Sequence, residues 1–280
     1  MSSQLGETSS SAVTLTPAEF SWITTFLRRS TGIELKEGKE TLVMGRLDRR
    51  LRLYELSSYT EYFQLIGGAE AVDETQTAID LLTTNETYFF REPQHFRRLP
   101  TLLPAESEVR GRSIRIWSAA SSSGEEAYTI ALTLADCLAN RPWQVVGSDI
   151  STRVLDTARR CLYPIEAAER IPLNLRQAHC LKGRDDHDGF FTLRSALRSQ
   201  VSFVQANLLK PLPELGEFDV VFLRNVMIYF SQETKAGLLS RVSEVLRPGG
   251  HLLIGHAESL QGLNNQLELV VPSVYRKPAD

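Results

Sequence analysis

IRIWSAASSSGEEAYTIAL, residues 114–132, runs from an apolar strand through a loop of small residues into a helix that opens on two acids. That succession lets a ligand approach backbone at the carboxyl edge of a parallel sheet, where folds of this kind bind nucleotides. Only Gly124 in the loop is a glycine, so the G-x-G-x-x-G dinucleotide fingerprint is absent and a nicotinamide dehydrogenase is excluded. Ala119, Ala120 and the serines 121–123 supply smallness instead. Glu125 and Glu126 in the first helical turn would repel a pyrophosphate and attract a cation. S-adenosylmethionine suits that preference, with an ammonium, a sulfonium and no phosphate. Acids in a first turn also satisfy the helix dipole, and for Glu126 the two roles stand level.

Downstream the alternation continues, with strands expected at 144–148, 201–205, 219–223 and 251–255 and helices at about 125–139, 152–161 and 232–246. This is the pattern of a parallel sheet with helices on both faces. Pro248-Gly249-Gly250 reads as a stop after the last helix, and a final hairpin, 267–271 with 274–277, turns at Pro272-Ser273. Between 162 and 200 the alternation fails: Pro164 and Pro172 break the segment, 183–189 is polar, and 190–193 resembles a short strand. An inserted loop or small antiparallel subdomain is expected there. Asp149 ends the second strand, near the offset at which an acid hydrogen-bonds ribose hydroxyls. Its other role is a helix cap; Ser151 can cap the next helix, which favours Asp149 as a ligand group. Asn207-Leu208 and residues 224–230 follow later strand ends and so face the same crevice. Met227 and Phe230 read as packing, and Tyr229 as core or crevice.

Upstream, residues 15–85 carry only helical periodicity. Thr16-Pro17-Ala18-Glu19 is a capping box ahead of Phe20, Ile23, Phe26 and Leu27. Further helices are expected at about 39–55, from Ser58, and at 71–83, a small all-helical unit. The first 14 residues are Ser/Thr-rich with no signal-peptide pattern and read as a disordered tail. The 280 residues are 42% hydrophobic and 23% charged with net charge -3, a balance that demands neither nucleic acid nor membrane insertion. Cys137, Cys161 and Cys180 lack zinc-site spacing and are an odd number, so no metal is expected and a reducing cytoplasm fits.

Four blocks, TTNETYFFREPQHF (83–96), WSAASSSGEEAYTIA (117–131), FLRNVMIYF (222–230) and LRPGGHLLIGHAESL (246–260), resemble signatures of the CheR family of chemoreceptor glutamate methyltransferases, in family order. The likeness implies an α/β fold: an S-adenosylmethionine-dependent methyltransferase sheet of Rossmann-like type over 113–280, with an inserted antiparallel β subdomain at about 162–200. It further implies an all-α receptor-recognition domain at 15–85 and a linker, 86–112, contributing to the active site. Asn85, Thr87 and Arg91 would reach over the cofactor, with Glu125 and Asp149 on its methionine and ribose portions. Asn207 and Leu208 would line the adenine pocket, and Asn225 with Val226 would close it. Arg91 and Tyr229 match the positions nearest the reacting methyl. The product would be S-adenosylhomocysteine, and the enzyme would work in the cytoplasm at receptor arrays.

An acceptor glutamate, with a pKa of about 4.3, is already a nucleophile at neutral pH, so no general base is required. Arg91 suits orientation of that carboxylate by its fork geometry, and Tyr229 would position acceptor or methyl. His95 and His256 then read as structural. Arg46, Arg49 and Arg50 share one helical face, either a docking patch for an acidic receptor helix bundle or a solvated face paired with Glu40 and Asp48. Family members that tether to a receptor's C-terminal pentapeptide carry a glycine-rich turn in the insert; CLKGRDDHDGFFTL (180–193) has Asp185 where a further glycine is usual, so the tether stays open. The alternatives are a methyltransferase of another protein or small-molecule carboxylate, and a non-catalytic cofactor-binding scaffold.

Overall fold

The Thr16 hydroxyl accepts from the Glu19 N–H at 3.3 Å and the Glu19 carboxylate returns to the Thr16 N–H at 2.9 Å, which starts helix α1, Pro17–Thr31, with a closed capping box. The computed structural model describes residues 13–68, 70–105, 111–138, 141–263 and 266–279. The expected tail, but for Val13 and Thr14, and residue 139 of one expected helix lie outside these. The chain forms two units, one of residues up to Ser30 with Glu34–Leu82, the other of Thr31–Ile33 with all that follows Leu82.

In the helical unit, α1 is joined by α2 (Glu40–Leu53), α3 (Tyr59–Gly67, capped by Ser58) and α4 (Val72–Leu82). Ile23, Leu27, Val43, Leu47, Leu51, Phe63 and Ile66 are buried, while Leu42 and Tyr54 are exposed. Glu74 on α4, 6% exposed, accepts the Tyr62 hydroxyl at 2.6 Å and the Tyr54 hydroxyl at 3.0 Å, and both fork nitrogens of Arg50 pair with it. Burial opposes ionisation of Glu74, and the bonds from Arg50, Tyr62 and Tyr54 outweigh it, holding its carboxyl below the ordinary value. A depressed folded pKa adds stability that is present above the unfolded value and lost as pH falls through the folded one. Glu74→Ala should therefore destabilise this unit by about 3–5 kcal/mol at neutral pH, and the gap to wild type should close on acidification below pH 4.5. Denaturant unfolding followed by circular dichroism at both pH values checks it; a pH-independent gap would assign the loss to packing instead.

The second unit is built on a seven-stranded sheet in the order β6-β2-β1-β7-β8-β10-β9. β1 (Ile114–Ser118), β2 (Trp143–Asp149), β6 (Val201–Gln205), β7 (Phe218–Leu223) and β8 (Leu246–Ile254) are parallel, and β10 (Val274–Arg276) runs antiparallel to β8 and to β9 (Glu268–Val271). Every residue of central β7 is buried, as a strand covered on both faces requires. Alternate residues serve opposite faces: Ile116 and Val220 pack with Phe96, Leu99 and Ile130, while Trp117 and Val221 pack with Leu238, Leu239 and Val242. The covering helices include α5 (Pro93–Leu102), α6 (Glu125–Cys137), α7 (Thr152–Arg160) and α10 (Gln232–Val245).

Two expectations change. The last helix does end before Pro248-Gly249-Gly250, at Val245, but the stretch is not a turn: β8 starts at Leu246, and its register with β7 jumps from Phe218↔Leu246 to Val220↔His251, so it is a bulge inside the strand. The stretch 86–112 is more than a linker, since it contains α5, whose Phe96 and Leu99 are core residues of this unit. The insert is a three-stranded antiparallel sheet in the order β3-β5-β4, from Tyr163–Pro164, Phe190–Leu193 and Cys180–Lys182. Of two short helices, α8 (Leu173–His179) connects β3 to β4 and α9 (Ser195–Arg198) follows β5.

Candidate active site

The strand order reverses between β1 and β7, so the loops leaving their carboxyl ends, 119–124 and 224–230, frame the crevice where such sheets bind ligands. Gly124 turns the first loop into α6 at φ +98°. A Cβ there would lie 2.8 Å from the Ala158 Cβ and 3.0 Å from the Tyr163 hydroxyl, so the loop could not seat against α7 with a larger residue. Asp149, at the end of β2 and buried, accepts the Ser122 N–H at 2.9 Å and the Ser151 N–H at 3.0 Å. Ser151 does cap α7, accepting from Val154 at 3.4 Å. Asp149 is nevertheless not left over by that cap, because it fastens the small-residue loop to β2. The Ser122 hydroxyl in turn donates to the Asn85 carbonyl at 3.0 Å. Asn85, Ser122 and Asp149 thus form one connected edge of the crevice, with half-buried Thr87 two residues beyond Asn85.

The two acids at the start of α6 have different surroundings. Glu126 accepts the Ser118 hydroxyl at 2.7 Å and Arg224 at 2.9 Å; burial pushes its carboxyl up, and Arg224 acts against that. Glu125 accepts the Ser123 hydroxyl at 2.7 Å and its own backbone N–H, and burial pushes its carboxyl up with no cationic side chain paired to it among the described residues. The Ser121 hydroxyl beside it in the loop is fully buried and unpartnered. A cationic ligand with further polar groups would supply what both lack.

Arg224, leaving β7 with a side chain 1% exposed, reaches Glu126 at 2.9 Å and Glu92 at 3.0 Å, donates to the Arg91 carbonyl at 2.5 Å and lies over the Phe96 ring. Asn225, at φ +57°, donates its side-chain N–H to Glu92 at 3.1 Å and its backbone N–H to Glu258 at 2.9 Å. Glu258 also accepts from the Gly255 and Ile228 N–H groups, so it fixes the loop after β7 to the loop after β8. Val226 and Tyr229, half-buried, pack on the α10 side. Arg91 sits between two left-handed residues, Phe90 and Glu92, each at φ +57°; its guanidinium donates to the Glu86 carbonyl at 2.6 Å and covers the Tyr88 ring. No hydrogen bond, ion pair or ring contact joins Arg91 to Tyr229. Asn207 closes an Asx turn onto the Leu209 N–H at 2.9 Å, and the carbonyl of buried Leu208 takes two bonds from Arg241.

In the sequence Glu92 and Glu258 carry no assigned role, Arg224 only a place at the crevice and Ser122 only its small size, since partners lie up to 133 residues away. The signal for Arg224 is a charged residue directly after the apolar run 220–223. On the helical unit Arg49 is exposed, Arg46 donates to the Leu82 carbonyl at 2.7 Å and Arg50 is committed to Glu74. The Arg50 partner is therefore Glu74, not the Glu40 or Asp48 expected from helical spacing; Asp48 accepts from the Tyr59 hydroxyl.

A reversed parallel sheet, a small-residue loop and a cation-seeking carboxylate define the S-adenosylmethionine-dependent methyltransferase class. Residues 85–275 match the family model described as CheR methyltransferase, SAM binding domain, and residues 18–83 match CheR methyltransferase, all-alpha domain. The chain belongs to the CheR methyltransferase family, and its cofactor is S-adenosylmethionine. Chemotaxis protein methyltransferase 2 of Pseudomonas aeruginosa is 42% identical over 93% of this chain and 93% of its own length. The chemotaxis protein methyltransferase of Escherichia coli is 39% identical over 95% and 93%. Among the described residues no helix is long and apolar enough to cross a membrane.

Proposed function

We propose that this enzyme methylates glutamate side chains of bacterial chemoreceptors, forming methyl esters that tune chemotactic signalling. The observation that carries the cofactor half of this reading is Glu125, a carboxylate raised by burial with no cation paired to it among the described residues. The acceptor half rests on relatives that are chemotaxis protein methyltransferases over nearly their whole length.

When bound, S-adenosylmethionine supplies an electrophilic methyl group on a sulfonium. Glu125 would hold the ammonium of its methionine portion, Asp149 the ribose, Asn207 and Leu208 the adenine, and Asn85, Thr87, Asn225 and Val226 the rim. The acceptor carboxylate is ionised at neutral pH and needs no proton removed. The protein's work is to orient that carboxylate in line and keep water out, for which Arg91 supplies the fork and Tyr229 a positioning hydroxyl. Arg46 and Arg49 support docking on an acidic receptor helix bundle; Arg50 contributes less, its charge being spent on Glu74.

Radiolabel from S-adenosylmethionine should appear on purified receptor fragments as base-labile methyl. Alkali-stable label would overturn the ester assignment. Glu125→Gln keeps shape and removes charge, and should weaken cofactor binding about 10- to 100-fold by calorimetry; unchanged affinity would remove Glu125 from the site. The tether to a receptor's C-terminal pentapeptide is a second reading favoured by Asp185, which at φ +51° holds the left-handed conformation glycine usually supplies, so the turn keeps its shape. Equal pull-down of receptor fragments with and without their last residues would remove it.

A further inference from the structure

Glu92, the N-cap of α5, and His95 in its first turn stand three residues apart, and His256 comes from the loop after β8. His95 Nδ1 lies 3.5 Å and His256 Nε2 3.9 Å from the same Glu92 carboxylate oxygen, and the imidazole centroids are 4.9 Å apart. All three donor atoms fall within 4.8 Å of one another. Independently of this clustering, His95 is 2% exposed and neither of its ring nitrogens has a hydrogen-bond partner. A neutral imidazole carries one donor and one acceptor nitrogen. Burying both unsatisfied is unfavourable, and in folded proteins such a group points to a missing water or ion.

From this we infer that Glu92, His95 and His256 form a binding site for a divalent transition metal ion, with Zn2+ as its representative. Two imidazoles and one carboxylate match the preference of zinc and its neighbours, whereas Mg2+ and Ca2+ demand oxygen ligands throughout. Ligand atoms around tetrahedral zinc stand about 3.3 Å apart, so the donors need to draw in by no more than a side-chain rotation. His256, 47% exposed, is free to make it. Arg224, bound to Glu92, is balanced on its other side by Glu126, and Arg98 adds a second positive charge near His95. Three protein ligands leave an open position for water. The ion would clamp the loop after β8 to the start of α5, one residue along the chain from Arg91. Residues 92 and 256 are too distant in sequence for any ligand spacing to show.

The test uses the tag-free full chain with Zn2+ alone, titrated by calorimetry and counted by elemental analysis after dialysis. One Zn2+ per chain, unaffected by excess Mg2+, is the expected result, with His256→Ala weakening it at least tenfold and His95→Gln doing the same. Circular dichroism melting of His256→Ala, an exposed position, should match wild type, so that lost binding is not lost folding. Co2+ in place of Zn2+ should give ligand-field bands without a thiolate charge-transfer band. No retained Zn2+, equal affinity in His256→Ala, or a thiolate band placing the ion on cysteine would each overturn the site; the first would leave a buried water as the partner of His95.

Discussion

Arg224→Met is expected to destabilise the sheet unit by about 3–5 kcal/mol at neutral pH, more at pH 8 than at pH 5. Methionine keeps most of the volume and the contact with Phe96 while removing the guanidinium that serves Glu126, Glu92 and the Arg91 carbonyl together. Glu126 is the group left worst off: burial already pushes its carboxyl up, and Arg224 is the main influence in the other direction. Without Arg224 its folded pKa rises further above the unfolded one. A raised folded pKa contributes stability at low pH that is lost as pH rises through it, so the variant recovers by protonating Glu126 in acid. Activity should fall as well, because the Arg91 carbonyl and Glu92 lose the bond that joins them to the end of β7. Thermal melts at both pH values decide the matter. A pH-independent loss would show that packing on Phe96, and not charge, is what Arg224 contributes.

The sheet is legible in the sequence because each strand is a short apolar run closed by small or polar residues, and each helix follows at a regular interval. Where two backbone patterns share one signal, legibility ends. Pro248-Gly249-Gly250 has the composition of a turn, yet pairing with β7 on one side and β10 on the other carries the strand through it as a bulge. In the insert, β4 has only three residues and follows a helix without a break, so nothing in its periodicity separates Cys180–Lys182 from its surroundings. The pairing Cys180↔Leu193 is a tertiary fact.

At the site, residue type shows which side chains have chemistry to offer, and partner choice stays hidden. Glu125 and Glu126 are adjacent and look equivalent, but helical geometry points them apart. One meets Arg224, 98 residues away in sequence, and the other meets the nearby Ser123 hydroxyl and no cation among the described residues. Asp149 was separable from capping by the presence of Ser151, yet its bond to the Ser122 N–H could not be foreseen, since it depends on how the loop after β1 folds back over β2. On α2 the i, i+3, i+4 face is real, and tertiary contact with Glu74 redirects Arg50 out of it.

Arg91→Ala should lower methyl transfer about 100- to 1000-fold and leave cofactor affinity within about threefold, an interaction of charged partners being worth more than that if made in the ground state. The reason lies in the backbone as much as in the guanidinium. Phe90 and Glu92 both occupy the left-handed region, uncommon for residues with side chains. Phe90 N–H is held by the Thr129 hydroxyl at 3.1 Å, and Glu92 by Arg224 and Asn225. Two fixed neighbours set the direction in which Arg91 leaves the chain, while its guanidinium rests on the Glu86 carbonyl and Tyr88 ring, contacts weak enough to be exchanged for an acceptor carboxylate. Arg91→Lys preserves charge and loses the two-pronged geometry. It should therefore recover only part of the lost turnover, with the deficit in kcat and not in the KM for S-adenosylmethionine. Full recovery by lysine would mean that charge attraction alone guides the acceptor. A deficit confined to the KM for S-adenosylmethionine would move Arg91 from the acceptor to the cofactor.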